Sequence, residues 1–376
     1  MRFAYRTLTL IIISEVLWSN RIVQIQHTNI LLKPKREWAM AEQQFHRRKQ
    51  HWPQTIHRLF RTLERNEKLS SSDIRAVYSR CATQSSDLDP VALEQSEFTI
   101  GQWDFCSNKP HLKLIIVVHS YSGNSYRRNL IRSTWGSLGR VGEEKIGILY
   151  FIGQAARPEE QMRIEQENTI YRDLVQRNFT ENYHNMTHKH LTVIEWLTLA
   201  ECPWLDYVVK VDDDTFVDVF HLTRFLRVDR LKSTPGFYCT ATSGAKPSRP
   251  HTDRQHNKWT ITAKEFPKNI FPTYCEGFGY IIEAELVPYL YLCSLFTRPI
   301  WIDDVYVTGM LADNLGFKRQ KFLPGHAYDR VGPKVHSEQL LNNIFLTCYH
   351  SEYLPETFRR LWANALTGIA IMQYAV

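Results

Sequence analysis

From Leu112 onward the chain alternates short apolar runs with helical stretches, a pattern that few folds accept. Leu112 to His119, LKLIIVVH, is β-branched and nearly free of charge, as in a strand buried on both faces. Asn124 to Trp135 then reads as a helix with arginines on one face. Lys145 to Ile152 reads as a second strand closed by Gly153. Pro158 to Phe179 reads as a helix with Pro in its first turn and two glutamates behind it, as the helix dipole favours. His188 to Cys202 is helical, Tyr207 to Val211 a buried strand, and Val219 to Phe225 helical again. After a segment from Gly244 to Phe271 rich in Pro, Lys and His, Tyr274 to Ile282 reads as strand and Ala284 to Phe296 as helix. Strand and helix in alternation predict a mostly parallel sheet with helices on both faces, in one α/β domain of about 260 residues.

Upstream the alternation is missing. Lys33 to Arg65 is rich in Arg, Gln, His and Glu, with Trp38, Trp52, Leu59 and Phe60 dispersed through it. That composition predicts a polar stem, helical or loosely ordered, and residues 83–98 read as a loop. The first residues, MRFAYRTLTLIIISEVLWSN, place Arg2 and Arg6 before an apolar run that Ser14 and Glu15 interrupt. A spanning helix needs about 20 largely apolar residues. This stretch therefore suits a short signal-anchor, the apolar region of a signal peptide, or an amphipathic helix, and membrane targeting is the expectation. The division expected is an anchor over 1–20, a stem over 21–105 and a catalytic domain over 106–376.

Charge and cysteine usage narrow the class. A net charge of +7, with no dense basic patch carrying interleaved aromatics, argues against nucleic-acid binding. The seven cysteines include no CxxC pair, which argues against a zinc site. Their scatter suits disulfides in an oxidising lumen with one left over, or buried thiols. Two glycosylation sequons, Asn178-Phe179-Thr180 and Asn185-Met186-Thr187, point to the same compartment.

Two acidic clusters end apolar runs. Val208-Val209-Lys210-Val211 leads into Asp212-Asp213-Asp214, and Ile300-Trp301-Ile302 into Asp303-Asp304. Three adjacent carboxylates repel, and a fold tolerates them on a solvated turn or beside a cation. Their place at the carboxyl end of a strand is where open α/β sheets bind ligands. Asp303 suits the N-cap of the helix that follows, leaving Asp304 in the first turn facing the strand ends. One cluster can then hold a metal while the other takes a proton. Arg128 and Arg132, four apart, share a helix face with Trp135, either a solvated basic face or a phosphate and base site. Gly277 and Gly279 weaken a strand at Tyr274 to Tyr280, as a bulge or a close ligand approach requires.

Arg128-Asn129-Leu130-Ile131-Arg132-Ser133-Thr134-Trp135-Gly136, Asn185-Met186-Thr187-His188-Lys189, Lys210-Val211-Asp212-Asp213-Asp214, Asn257-Lys258-Trp259, Pro272 to Tyr280 and Asp303-Asp304-Val305-Tyr306-Val307 occur in this order. Together they resemble the inverting β-1,3-glycosyltransferases of glycosyltransferase family 31, from about Leu112 to Trp362. The resemblance implies a GT-A-like fold, a UDP-sugar donor, Mn²⁺ or another divalent ion, a β-1,3 linkage and a single-pass Golgi membrane protein with a lumenal catalytic domain. It implies metal ligation by Asp214 and His350, and a general base in Asp304. Arg128, Arg132, Trp135, Lys210, Asp212, Asp213, Gly277 and Gly279 would be the donor site. Asp303 would position the acceptor. Galactose is the sugar expected, with N-acetylglucosamine next.

The sequence also departs from the family pattern. Asp303 stands where Glu is usual, and Glu181 where the element Phe179-Thr180-Glu181-Asn182-Tyr183 usually carries Asp. Glu276 stands where a small residue is common, and the apolar tail from Thr367 to Val376 has no counterpart. Two other readings suit parts of the chain. A haloacid-dehalogenase-like phosphatase also has Asp-x-Asp after a strand, but leaves the arginine helix and the sequons unexplained. A glycan-binding or chaperone-like relative without catalysis has no need of both Asp214 and Asp304.

Overall fold

The computed structural model of the protein describes residues 45–46, 49–50, 52, 54–82, 97–228, 236–250, 258–322, 329–331, 343–348 and 353–374. The expected anchor, residues 1–20, lies outside them. Among the described residues no helix is long and apolar enough to cross a membrane.

The segment expected as a stem is in part core. Gln54–Arg65 forms helix α1 and Ser71–Cys81 helix α2. A capping box starts α2: Asp73 N–H donates to Ser70 Oγ (3.2 Å) and Ser70 N–H to Asp73 Oδ2 (2.9 Å). Trp52, Ile56, Phe60 and Leu63 recur at helical spacing and are buried, with Ile74, Val77 and Tyr78 of α2. Tyr78 and Trp52 both pack on the Phe296 ring, at 5.0 and 5.5 Å. The intervening charges hid this narrow apolar stripe from a compositional reading.

The sheet domain follows. Its elements are β1 (Phe98–Ile100), β2 (Leu112–His119), α3 (Ser125–Arg132), β3 (Arg140–Val141), β4 (Glu144–Gln154), α4 (Pro158–Tyr171), β5 (Leu174–Thr180), α5 (Met186–Leu199), β6 (Tyr207–Asp212), β7 (Thr215–Val217), α6 (Val219–Val228), β8 (Gly236–Thr242), β9 (Tyr274–Glu283), α7 (Val287–Ser294), α8 (Ala312–Leu315), β10 (Lys318–Lys321), β11 (Asp329–Val331), β12 (Phe345–Cys348) and α9 (Leu354–Tyr374). The helix expected over 158–179 stops at Tyr171. Arg172 turns left-handed (φ 51°) and caps it, and the rest becomes strand β5. The tail from Thr367 continues α9 as far as Tyr374.

The large sheet runs β1-β5-β4-β2-β6-β9-β8-β10, with β3 on the edge of β4. Strands β5, β4, β2 and β6 are parallel, whereas β9 runs antiparallel to β6 and β8. A small sheet, β11-β12-β7, lies beside it. The apolar faces of α5 and α7 cover one side of the large sheet, and those of α3, α6 and α9 the other. The chain leaves β2 for β4 on one side and returns to β6 on the other, which opens a crevice at the carboxyl ends of β2 and β6.

Three disulfides close the frame: Cys81–Cys293, Cys106–Cys202 and Cys239–Cys275. Cys348 is the one left over. Cys81–Cys293 joins α2 to α7 across 212 residues of sequence. Replacing both partners by Ser is expected to lower unfolding free energy by about 2–4 kcal/mol, read from the urea midpoint.

Candidate active site

Strand β6 delivers the triple aspartate to the crevice, and the three carboxylates go separate ways. Asp213 is buried and turns back over β2, its N–H donating to the His119 carbonyl at 3.1 Å. Its carboxylate accepts from Ser120 Oγ (2.8 Å), Asn124 Nδ2 (2.9 Å) and Arg127 Nη1 (2.8 Å). Asp212 accepts from Lys210 Nζ at 2.7 Å. Lys210 is itself buried and also donates to the Gly277 carbonyl, which holds β6 against β9. Asp212 and Asp214 are both open, with side chains 35% and 36% exposed, and Asp214 has Arg127 Nη1 at 3.4 Å. Burial and the charges of Asp212 and Asp213 push its carboxyl up to about 6, against the pull of Arg127.

The second acidic pair adjoins the first through Lys210. Gly277, whose carbonyl Lys210 holds, packs on Asp304: a methyl at 277 would lie 3.4 Å from Asp304 Oδ2. A longer side chain would cover the carboxylate. Asp304, and not Asp303 as expected, caps the following helical turn, accepting from Val305 N–H at 2.7 Å. That turn, Val305–Leu311, is a π-helix, a form often found at functional sites. Asp303 points inward instead and bonds His190 Nδ1 at 2.9 Å, while His190 Nε2 meets the Tyr280 hydroxyl. Burial favours neutral His190, so Nδ1–H donates to Asp303 and Nε2 accepts from Tyr280.

This arrangement separates the two carboxyl groups. Burial would raise Asp303, but the His190 hydrogen bond and the Lys210 charge outweigh it and hold Asp303 below the usual carboxylate range. Burial and the neighbouring Asp303 anion push Asp304 up to about 7. Adjacent carboxyl groups driven apart in this way are what acid–base chemistry requires, and Asp304 is the one able to exchange a proton near neutrality.

Several expected donor-site residues are not available to a ligand. Arg128 is completely buried and its five N–H groups are engaged, with Glu167 (2.8 and 2.7 Å), Ser120 Oγ, and the carbonyls of Tyr121 and Ser122. Arg132 grips Asp173 (2.9 and 2.7 Å) and Glu167 (2.8 Å), with its guanidinium against Tyr171. Trp135 is fully buried in the core. Gly279 is a packing glycine, since a Cβ there would lie 3.0 Å from the Phe345 ring. His350 lies outside the described residues. Arg127, Ser120, Asn124 and His190 bond the aspartates and had no sequence signal of their own, and Tyr280, which lies in the Pro272 to Tyr280 stretch, bonds His190. Helix phase is the reason for Arg127: α3 begins at the carboxyl end of β2, so its first turn faces the crevice and the residue one step on, Arg128, faces the core.

Among the described residues no group of three or more His, Cys, Asp and Glu side chains is arranged to hold a metal. The donor chemistry nevertheless fits a hard divalent cation. Asp212 and Asp214 present carboxylate oxygen beside repulsion that a cation would relieve. Mg²⁺ and related ions commonly take one or two carboxylates and complete their shell with substrate phosphate and water.

The galactosyltransferase family profile matches residues 126–322, more than half of the chain. The human UDP-GalNAc:beta-1,3-N-acetylgalactosaminyltransferase 1 is 30% identical over 225 residues, 59% of this chain and 66% of that one, just under two thirds of its length. The mouse Beta-1,3-galactosyltransferase 1 is 30% identical over 228 residues, 60% of this chain and 68% of that one. A solved glycosyltransferase involved in glycosylation of the major capsid of PBCV-1 covers 66% of this chain and 99% of its own, at 10% identity and a TM-score of 0.36, too low a score to bear on the fold.

Proposed function

Because the chain belongs to the galactosyltransferase family, we propose that it is an inverting transferase of GT-A-like fold. It moves a galacto-configured sugar from UDP to the 3-hydroxyl of a glycan acceptor, forming a β-1,3 linkage. The observation that carries this reading is Asp304, raised to about 7 and linked through Gly277 and Lys210 to the open carboxylates of the triple aspartate. Galactose is the first choice of sugar. N-acetylgalactosamine stands beside it, because the two relatives, equally similar at 30%, bear names for one sugar each.

In the reaction Asp304 accepts the proton of the acceptor hydroxyl as its oxygen attacks the anomeric carbon from the face opposite UDP, and the bond to UDP breaks. Asp303, kept anionic by His190 and Tyr280, maintains the basicity of Asp304. Lys210 fixes Asp212, and Arg127 with Asn124 and Ser120 fixes Asp213, so the loop presents Asp214 outward. A divalent cation, Mn²⁺ by preference, would be held by Asp214 and Asp212 and would supply charge neutralisation for the leaving diphosphate.

A lumenal, Golgi location is part of the proposal. Three disulfides and the exposed sequon at Asn178 support it. Asn185 is the poorer sequon. Its amide donates to the Thr180 carbonyl (2.8 Å), and the buried Thr187 hydroxyl donates to Ile300 (2.6 Å).

The test is UDP release from UDP-galactose, UDP-N-acetylgalactosamine and UDP-N-acetylglucosamine with a panel of glycan acceptors. Release from a galacto-configured donor, removed by chelator and restored by Mn²⁺, is the expected result. Binding of glycan without release from any donor would favour the non-catalytic relative.

A further inference from the structure

Three distant segments bring aromatic rings together beside the acidic pair. Tyr183 and Trp259 are 44% and 48% exposed, and Trp301 is partly buried two residues before Asp303. The Trp301 ring lies 4.5 Å from His184 and 6.0 Å from Tyr183. Lys258 Nζ lies over both the Trp259 ring (4.3 Å) and the Tyr183 ring (5.3 Å). The rings are held by rigid neighbours: Asn182 caps the turn carrying Tyr183, and Thr187 bonds the Ile300 carbonyl before Trp301. Burial, with the nearby charges of Asp303, Asp304 and Asp212, pushes the Tyr183 hydroxyl up to about 12, so it stays a neutral donor beside the base.

Large flat rings held at a surface cost hydration unless something covers them. A pyranose suits this place, with an apolar C–H face for the rings and hydroxyl edges for Tyr183 and the carboxylates. We propose that Trp301, Tyr183 and Trp259 form the platform on which a neutral pyranose of the acceptor stacks, with its attacking hydroxyl turned to Asp304. The assignment rests on the transferase reading. The anions Asp303 and Asp212 alongside disfavour an anionic sugar turned toward Asp304, and Lys258, over the Trp259 and Tyr183 rings, is the cation that offsets them in part.

The experiment uses the full chain loaded with UDP and Mn²⁺ and three neutral probes: methyl β-galactopyranoside, methyl N-acetyl-β-glucosaminide and methyl N-acetyl-β-galactosaminide. Saturation-transfer NMR is expected to mark the C–H protons of one ring face of at least one probe, and methyl β-glucuronide is expected to give a weaker signal. Trp301→Ala should weaken that probe's binding about 10-fold or more, with Trp301→Phe partly restoring it. UDP affinity should not change; the thermal midpoint should fall, because Trp301 also packs on the core, so binding is compared at a temperature where the variant stays folded. A wild type that binds UDP but gives no signal with any neutral probe overturns the platform. So does Trp301→Ala binding its probe like the parent, or losing UDP to the same degree, which would place the rings at the donor. Failure of the wild type to bind UDP at all strikes the transferase reading itself, and is separable by that fact.

Discussion

Asp304→Asn is expected to lower the rate of transfer by about 10²–10⁴-fold, the usual contribution of a positioned base, with UDP affinity little changed. Asparagine keeps the shape and can still accept from Val305 N–H, but it cannot take a proton. The pH profile makes the assignment specific. The base acts when ionised, and its carboxyl lies near 7, so kcat/KM should climb with pH through about 7 and then level off. Asp303→Asn removes the anion next door and should move that limb to lower pH. Stability gives a readout independent of turnover. Folding raises this group from an unfolded value of about 4, so its contribution is present at low pH and is lost as pH rises through 7. Asp304→Asn should therefore be more stable than the parent at pH 8 and gain little at pH 4. An inactive variant with an unchanged pH–stability curve would show that Asp304 is not the raised group.

The sequence exposed the parts of this site that depend on chain position. The run ending in Asp212 carries a hydropathy that a buried strand end explains, and the run ending in Asp303 is a short apolar segment leading into a helix, so both acidic clusters were legible. Parts that depend on packing were not. His190 reads as one histidine among 15; only the fold of α5 against β9 sets it between Asp303 and Tyr280. Asp303 and Asp304 are adjacent, and nothing in two identical residues says which turns inward. The buried face of the segment expected as a stem was not legible, because Trp52, Ile56, Phe60 and Leu63 are sparse among charges. Their burial, with Trp52 on the rings of Phe60 and Phe296, is a tertiary fact that local composition does not carry.

Arg128 shows the same limit, and it yields the largest stability effect expected of this protein. An arginine four residues from another on a helix next to a ligand crevice suggests a phosphate clamp. The structure instead gives Arg128 no exposure, and Glu167, 8% exposed, neutralises it along with Arg132. Burial would raise the Glu167 carboxyl, but the two guanidinium groups hold it below its ordinary value. Glu167→Ala would leave a buried guanidinium without its counter-charge and is expected to cost about 3–5 kcal/mol in a denaturation measurement. Glu160→Ala, which breaks the solvent-screened pair with Arg157, should leave the denaturation midpoint almost unchanged. Arg128→Lys separates a structural arginine from a ligand-binding one. Lysine cannot reproduce five directed N–H bonds in a closed site, so the fold should weaken while the folded fraction binds UDP as the parent does. A phosphate clamp would give the reverse, with stability kept and UDP affinity lost. Arg127, one residue earlier and fixed on Asp213 and Asp214, is where loss of UDP affinity is expected instead.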